Sequence, residues 1–250
     1  MKVLFSALIL AGIAMLVTGC ASFRKPKTIG TLPKTLPFVV RKCDVPYSKL
    51  TPEIWQEKSN SDKLKTVHPY SEWRRANVDF SVMHDDDNVY IRFQSNDHFV
   101  QATHTKHNTM VCQDTCGEFF FSPFEGSLEY FNLEISITGA AWLAHHSADN
   151  KETMVHSSQF DQLEIRVTPN AGVIDPEVLN HKWTIEAKIP VALLNKYASR
   201  PIGKLSGQTW KANFYHGSDW SSHPRWNSWM PLPKGLTFHC PKFFGPITFE

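Results

Sequence analysis

The chain has 250 residues, 42% of them hydrophobic, enough to bury a full core, and one all-β domain can use most of that length. Its formal net charge is +2 with no basic block in the body of the chain, which excludes the electrostatic footprint of a nucleic-acid binder. Aromatic residues are abundant, with Trp 8 and Phe 17, and favour strands and flat apolar surfaces.

Lys2, the apolar run Val3 to Val17 and the ending Val17-Thr18-Gly19-Cys20 read as an export signal, too short for a good membrane span. The V-T-G-C ending resembles a bacterial lipobox. Residues 1–20 are therefore expected to be a lipoprotein signal peptide, with Cys20 lipidated as the first mature residue. Ala21 is not the aspartate that retains many lipoproteins at the inner membrane, so the expected location is the extracytoplasmic cell envelope, on the outer membrane in a Gram-negative host. Residues 21–38 carry three prolines and four basic residues without an apolar period and read as an extended tether. Residues 39–250 are expected to form the folded domain.

Cys43, Cys112, Cys116 and Cys240 remain after Cys20. An exported chain with an even number of cysteines is expected to pair them, and three connectivities are open. The preferred one joins Cys43 to Cys240, tying the ends of the domain, and Cys112 to Cys116, pinning the loop before Glu118. A zinc site from Cys112, Cys116, His104 and His107 is a weaker reading, because structural zinc pairs favour C-x-x-C spacing.

Alternation at Val78, Phe80, Val82 and at Val89, Ile91, Phe93 predicts a hairpin over 77–95, with Asp85, Asp86 and Asp87 as a polar turn rather than a calcium cage. The next stretch, Val111 to Gly139, is the most informative. Phe119 and Phe121 share one face of a strand and leave Glu118 and Phe120 on the other. Phe131, Leu133, Ile135 and Ile137 do the same for a second strand, leaving Asn132, Glu134 and Ser136 together. Such a polar row is either a binding surface or the solvated side of a sheet.

Short strands are expected at 142–146 and 153–156, then around Leu163 to Val167, Trp183 to Ile189 and Trp210 to Phe214, with a final one in the C-terminal GPITFE. Pro190 to Tyr197 is the one helical stretch, with Pro190 at its start. The pattern indicates an all-β antiparallel β-sandwich with one short helix.

The motifs of nucleophile elbows, zincins, P-loops and dinucleotide folds are missing, and the twelve histidines are scattered without a helical pair of ligands. No metal ligand set is assigned. Trp220, Trp226 and Trp229 fall in a segment rich in Pro, Ser and His. They either cover the open end of the sandwich or stack on sugar rings, whose hydroxyls would be bonded by nearby carboxylates and amides.

The ordered set W-R-R-A-N-V, D-D-D-N-V-Y-I-R-F, D-T-C-G-E-F-F-F-S-P, Y-F-N-L-E-I-S-I-T-G, W-T-I-E-A-K-I-P, W-K-A-N-F-Y, S-W-M-P and F-H-x-P-x-x-F-G resembles the carbohydrate-binding module family nine-like domains over residues 39–250. The resemblance implies a β-sandwich that binds glycan chain ends, with structural calcium in some members and glycoside hydrolases as common neighbours. It implies sugar contacts at Glu118, at Asn132 and Glu134 on the polar strand, and at Trp229 or Trp226. The departure is at Met110-Val111-Cys112, where binding members have a tryptophan that completes the sugar sandwich. The expected function is thus lipid-anchored, non-catalytic glycan recognition in polysaccharide capture or catabolism. The alternatives are a glycosidase-like enzyme using Glu118 and Glu134, and a structural or redox-linked domain that has lost sugar binding.

Overall fold

Alternating apolar residues along most of the chain force strands that bury one side, and the strands need a second layer to cover it. A computed structural model describes residues 36–74, 77–169 and 172–250; the expected signal peptide, Cys20 and most of the expected tether lie outside the described residues. The strands are β1 (Phe38–Lys42), β2 (Asn60–Lys63), β3 (Thr66–Val67), β4 (Val78–His84), β5 (Asn88–Ala102), β6 (Cys116–Ser122), β7 (Tyr130–Ser136), β8 (Ala141–His146), β9 (Glu152–Met154), β10 (Glu164–Thr168), β11 (Ile174–Pro190), β12 (Thr209–Ser218), β13 (Arg225–Ser228) and β14 (Gly245–Phe249).

Hydrogen bonding runs along one path, β10-β11-β5-β4-β1-β14-β12-β6-β7-β8-β9, with β2 on β4 and β13 between β12 and β3. β1 joins the two layers. Phe38 to Val40 pair in parallel with β14, and Arg41 and Lys42 pair in parallel with β4. The sheet is therefore mixed rather than purely antiparallel. Its two halves fold over one core, in which Phe80 of β4 stacks on Phe214 of β12 at 3.9 Å. Gly117 in β6 lets the layers approach there, since a Cβ at that position would lie 2.7 Å from the Phe93 ring.

The helical stretch expected at 190–197 is shorter, α2 (Val191–Leu194) followed by turns, and its start is bonded to the β4–β5 turn through Val191 N and Asp87 O at 2.8 Å. A helix not foreseen, α1 (Pro52–Lys58), starts at Thr51, whose hydroxyl accepts from Ile54 N, with Pro52 in its first turn. It buries Trp55 in a small cluster with Cys43, Tyr47, Leu50, Met83 and Tyr90.

A further cluster lies on the outer side of the second sheet. There Leu232, Phe243 and Phe244 pack with Phe120, Tyr130 and Tyr215, and Leu236, Phe238 and Cys240 pack against them. The chain from 232 to 244 thus roofs part of a face that alternation alone would leave to solvent.

The disulfide expectation is corrected here. Cys43, Cys112, Cys116 and Cys240 are all free thiols, and Cys43 and Cys240 belong to separate side-chain clusters, one beside α1 and one under the C-terminal segment.

Candidate functional site on the outer sheet face

Residues directly opposed in an antiparallel pair share a face, so register alone assembles the site. Tyr215, Glu118, Glu134 and Trp142 form one row across β12, β6, β7 and β8. Asn213, Phe120, Asn132 and Ala144 form the next, and Gly217, Cys116 and Ser136 a third. β13 adds Trp226 opposite Gly217. Three of the expected residues, Glu118, Asn132 and Glu134, therefore lie side by side with Trp226 and Trp142 at the two edges.

The two carboxylates form the floor. Glu118 is 3% exposed and Glu134 is 8% exposed. The groups acting on them are acids and thiols: Asp219 lies near both, the Cys116 Sγ is 3.5 Å from Glu118 Oε1, and the Cys112 thiol is close enough to feel both charges. Burial, and then the like charges of Glu134 and Asp219, push Glu118 well above the usual carboxylate range. Burial lifts Glu134 to about 7, with help from Asp219 and Glu152, although the Asn132 amide opposes this by donating to Glu134 Oε1 at 3.0 Å. Asp219 is also raised by burial, against the Trp226 indole N–H that donates to it at 2.7 Å. The Cys112 and Cys116 thiols are pushed up by burial and by these same carboxylates, so both stay protonated.

Gly217 makes room for this floor. A Cβ there would fall 2.8 Å from Glu118 Oε1 and 3.3 Å from Cys116 Sγ. On the other side, Asn132 Oδ1 accepts from His146 Nε2 at 2.9 Å, and the His146 ring stacks on Tyr130 at 4.4 Å. Burial, with His239 and His145 nearby, lowers His146 to about 4, which keeps it a neutral donor. The result is a set of protonatable carboxyls and a fixed amide between two half-buried indoles. It can exchange hydrogen bonds with a neutral hydroxylated ligand, and among the described residues it offers no cation to an acidic one.

Asp114, which opens the D-T-C-G-E motif, takes a structural place. Its carboxylate accepts from Thr103 N at 2.8 Å, His104 N at 3.0 Å and Ser136 Oγ at 2.7 Å, so it pins the loop leading into β6.

Trp229 needs correction. It packs edge-on against Phe38, Phe80 and Phe214 at 5.8–6.0 Å on the core side of the sheet, and its indole donates to Asp62 at 3.1 Å. The ring belongs to the wall of the core, because β13 turns alternate residues outward and Trp226 is the one on the Glu118 face. Trp220 is 56% exposed and lies 5.5 Å from His104. Trp142, Asp219 and His146 were not singled out by sequence. Trp142 carried a signal, since extending the Glu134 face through the tight turn at Thr138 to Ala140 puts it next in the row.

The residues weighed as metal ligands have other partners. Among the described residues no group of three or more His, Cys, Asp or Glu side chains is arranged for a metal ion. His104 binds Asp114 at 2.9 Å, and His107 stacks on Phe160 at 4.5 Å. In the Asp85 to Asp87 turn, Asp85 caps Asn88 N at 2.8 Å, Asp86 pairs with Lys42, and Asp87 pairs with Lys204 at 2.6 Å. That turn does not fit a calcium cage.

The sequence pattern of carbohydrate-binding family 9 matches residues 51–249. No curated protein is significantly similar to the chain. Among solved structures, a protein of Bacteroides uniformis ATCC 8492 assigned as carbohydrate-binding is 26% identical, with a TM-score of 0.74 over 86% of this chain and 99% of its own. A family 9 module of Caldicellulosiruptor kristjanssonii in complex with glucose is 13% identical, with a TM-score of 0.57 over 86% of this chain and 96% of its own. A family 9 module of the same organism in complex with cellotriose is 15% identical, with a TM-score of 0.55 over 86% of this chain and 94% of its own.

Proposed function

Because the chain belongs to carbohydrate-binding family 9, we propose that it captures a glycan on the outer face of its second sheet, without turnover, as a lipid-anchored protein of the cell envelope. The observation that carries the reading is the row Glu118–Glu134–Trp142, closed by Trp226 across Gly217. Buried carboxyls with no cationic neighbour among the described residues hold protons and lone pairs ready for hydroxyls, and flanking indoles offer flat faces to the C–H side of a pyranose. Trp142 supplies the second aromatic wall that Met110-Val111-Cys112 cannot.

The glucose and cellotriose complexes of the Caldicellulosiruptor modules support β-glucan ends as the first ligands to try. Cys20 and the tether would hold the domain clear of the lipid headgroups, on the outer membrane in a Gram-negative host. Polysaccharide catabolism beside glycoside hydrolases is the setting this arrangement suits.

The test is calorimetric titration with cello- and xylo-oligosaccharides, with recovery of the sugar afterwards. Trp142→Ala, Trp226→Ala and Glu134→Gln should each weaken binding, by roughly 0.5–1.5 kcal/mol for loss of a hydrogen bond or of a stacking face, and the sugar should be recovered uncut. Binding unchanged in all three variants would remove this face from the site.

A further inference from the structure

On β13, Trp226 faces the outer side of the sheet, and its neighbour Asn227 faces the inner side, opposite His216 of β12. Asn227 lines a cavity of about 450 Å³, where Asp97 of β5 meets His216. That volume is within the ordinary range for small-molecule sites. Asn227 is 1% exposed, yet neither its amide nitrogen nor its amide oxygen has a hydrogen-bond partner among the described residues. Buried amides are normally satisfied, so one left open at both ends and lining a cavity calls for something that donates and accepts at once.

The rest of the wall narrows what that is. Asp97 is already engaged: its Oδ2 accepts from Arg225 Nη2 at 2.6 Å and lies 3.1 Å from His216 Nε2, and its Oδ1 accepts from His98 N at 2.8 Å. His216 donates through Nδ1 to the Cys116 carbonyl at 2.8 Å, which leaves Nε2 turned to Asp97. Both Asp97 oxygens thus have partners, and the floor offers no free carboxylate to a cation. Trp73 lines the cavity as a flat ring stacked on His98 at 5.0 Å and 11°. Asn77 and Asn180 line its rim. An amide that both donates and accepts, a carboxylate already engaged and one aromatic wall together match a ring with vicinal hydroxyls and an apolar face.

We infer that this inner cavity, lined by Asn227, His216, Asp97 and Trp73, is a second binding site for a neutral monosaccharide unit, separate from the outer face. The two sites share strands β12 and β13 and use opposite sides of them. The inference does not depend on the outer face being occupied.

The experiment uses the full-length protein in a sugar-free zwitterionic detergent, with fluorinated tryptophan as the reporter and D-glucose, D-xylose and D-galactose as probes. Trp73 reports the inner cavity, and Trp142 and Trp226 report the outer face. The expected result is saturable movement of the Trp73 resonance by at least one sugar, retained in Glu134→Gln and weakened at least tenfold in Asn227→Leu. If Asn227→Leu does not fold, Asn227→Asp and Asn77→Ala replace it and should weaken the Trp73 response in the same way. A Trp73 resonance unmoved by all three sugars overturns the inference and leaves ordered water as the cavity's content. So does a Trp73 response lost with Glu134→Gln and kept in the Asn227 variants. If Trp142 and Trp226 stay silent while Trp73 responds, the outer-face reading fails and this one stands.

Discussion

Replacing Glu134 with Gln tests the electrostatics of the outer face without changing its shape, because the amide oxygen can still accept from Asn132 Nδ2. In the unfolded chain Glu134 ionises near 4.5, but in the fold it keeps its proton up to about 7. Between these values the unfolded state loses its proton first, so the group's contribution to stability is complete below pH 4.5 and is lost as pH rises to 7. That difference corresponds to a loss on the order of 3 kcal/mol. Several histidines act in the opposite sense over the same window. His84, His107, His146 and His239 are lowered mainly by burial and add stability as pH rises through 6.5. The informative quantity is therefore the difference between wild type and variant, from urea unfolding at half-unit steps from pH 4 to 8. Glu134→Gln should gain on the wild type steadily from pH 4.5 to 7 and hold that gain above it. A difference that stays flat, or that favours the wild type as pH rises, would refute the argument that burial and like charges hold the proton on this pair.

Trp229→Ala should lower stability by about 3 kcal/mol, because a large ring is removed from the core wall, and should leave glycan affinity within twofold; thermal melting with calorimetry reads both. Gly217→Ala should drive the Glu118 carboxylate from its place at a cost of roughly 1–3 kcal/mol, and glycan affinity should fall at least as far as in Glu118→Gln. Cys20→Ser should abolish the lipid mass on the mature protein and move it out of the membrane fraction, as read by mass spectrometry and fractionation.

Period-two alternation made the central strands legible. Phe119 and Phe121, and Phe131 to Ile137, had to share a buried side, and this placed Glu118, Asn132 and Glu134 on the other. Neighbour relations across distant strands were not legible. That Trp142 ends the Glu118 row, that Asp219 leans on both glutamates, and that β1 bridges two layers in parallel all depend on pairings set by the whole fold. The choice between Trp226 and Trp229 turned on the sense of a short strand, β13, whose register comes from β12. The roof of residues 232–244 was hidden for a related reason, since its apolar residues lie in a Pro-rich segment without a strand or helix period. The start of α1 was legible and overlooked, because Thr51-Pro52-Glu53 is a capping signature. Cysteine count suggested bridges, but only packing shows that Cys43 and Cys240 serve different clusters.

The placement of the two glutamates also bears on whether the face binds or cuts. A glycosidase needs its carboxyls on either side of the scissile bond, about 5–5.5 Å apart for retention and about 6.5–9.5 Å for inversion. It also needs environments that push their pKa values apart, so that one donates a proton while the other stays ionised. Glu118 and Glu134 are opposed across adjacent strands and project from the same side of one sheet. A sugar resting on that face meets both from below, and neither can reach its far side. Burial raises both, and Asp219 pushes both in the same direction. Two carboxyls that both keep their protons can each donate through O–H and accept through C=O toward neighbouring hydroxyls. That is the chemistry of holding a sugar, and it fits the proposed non-catalytic role better than hydrolysis.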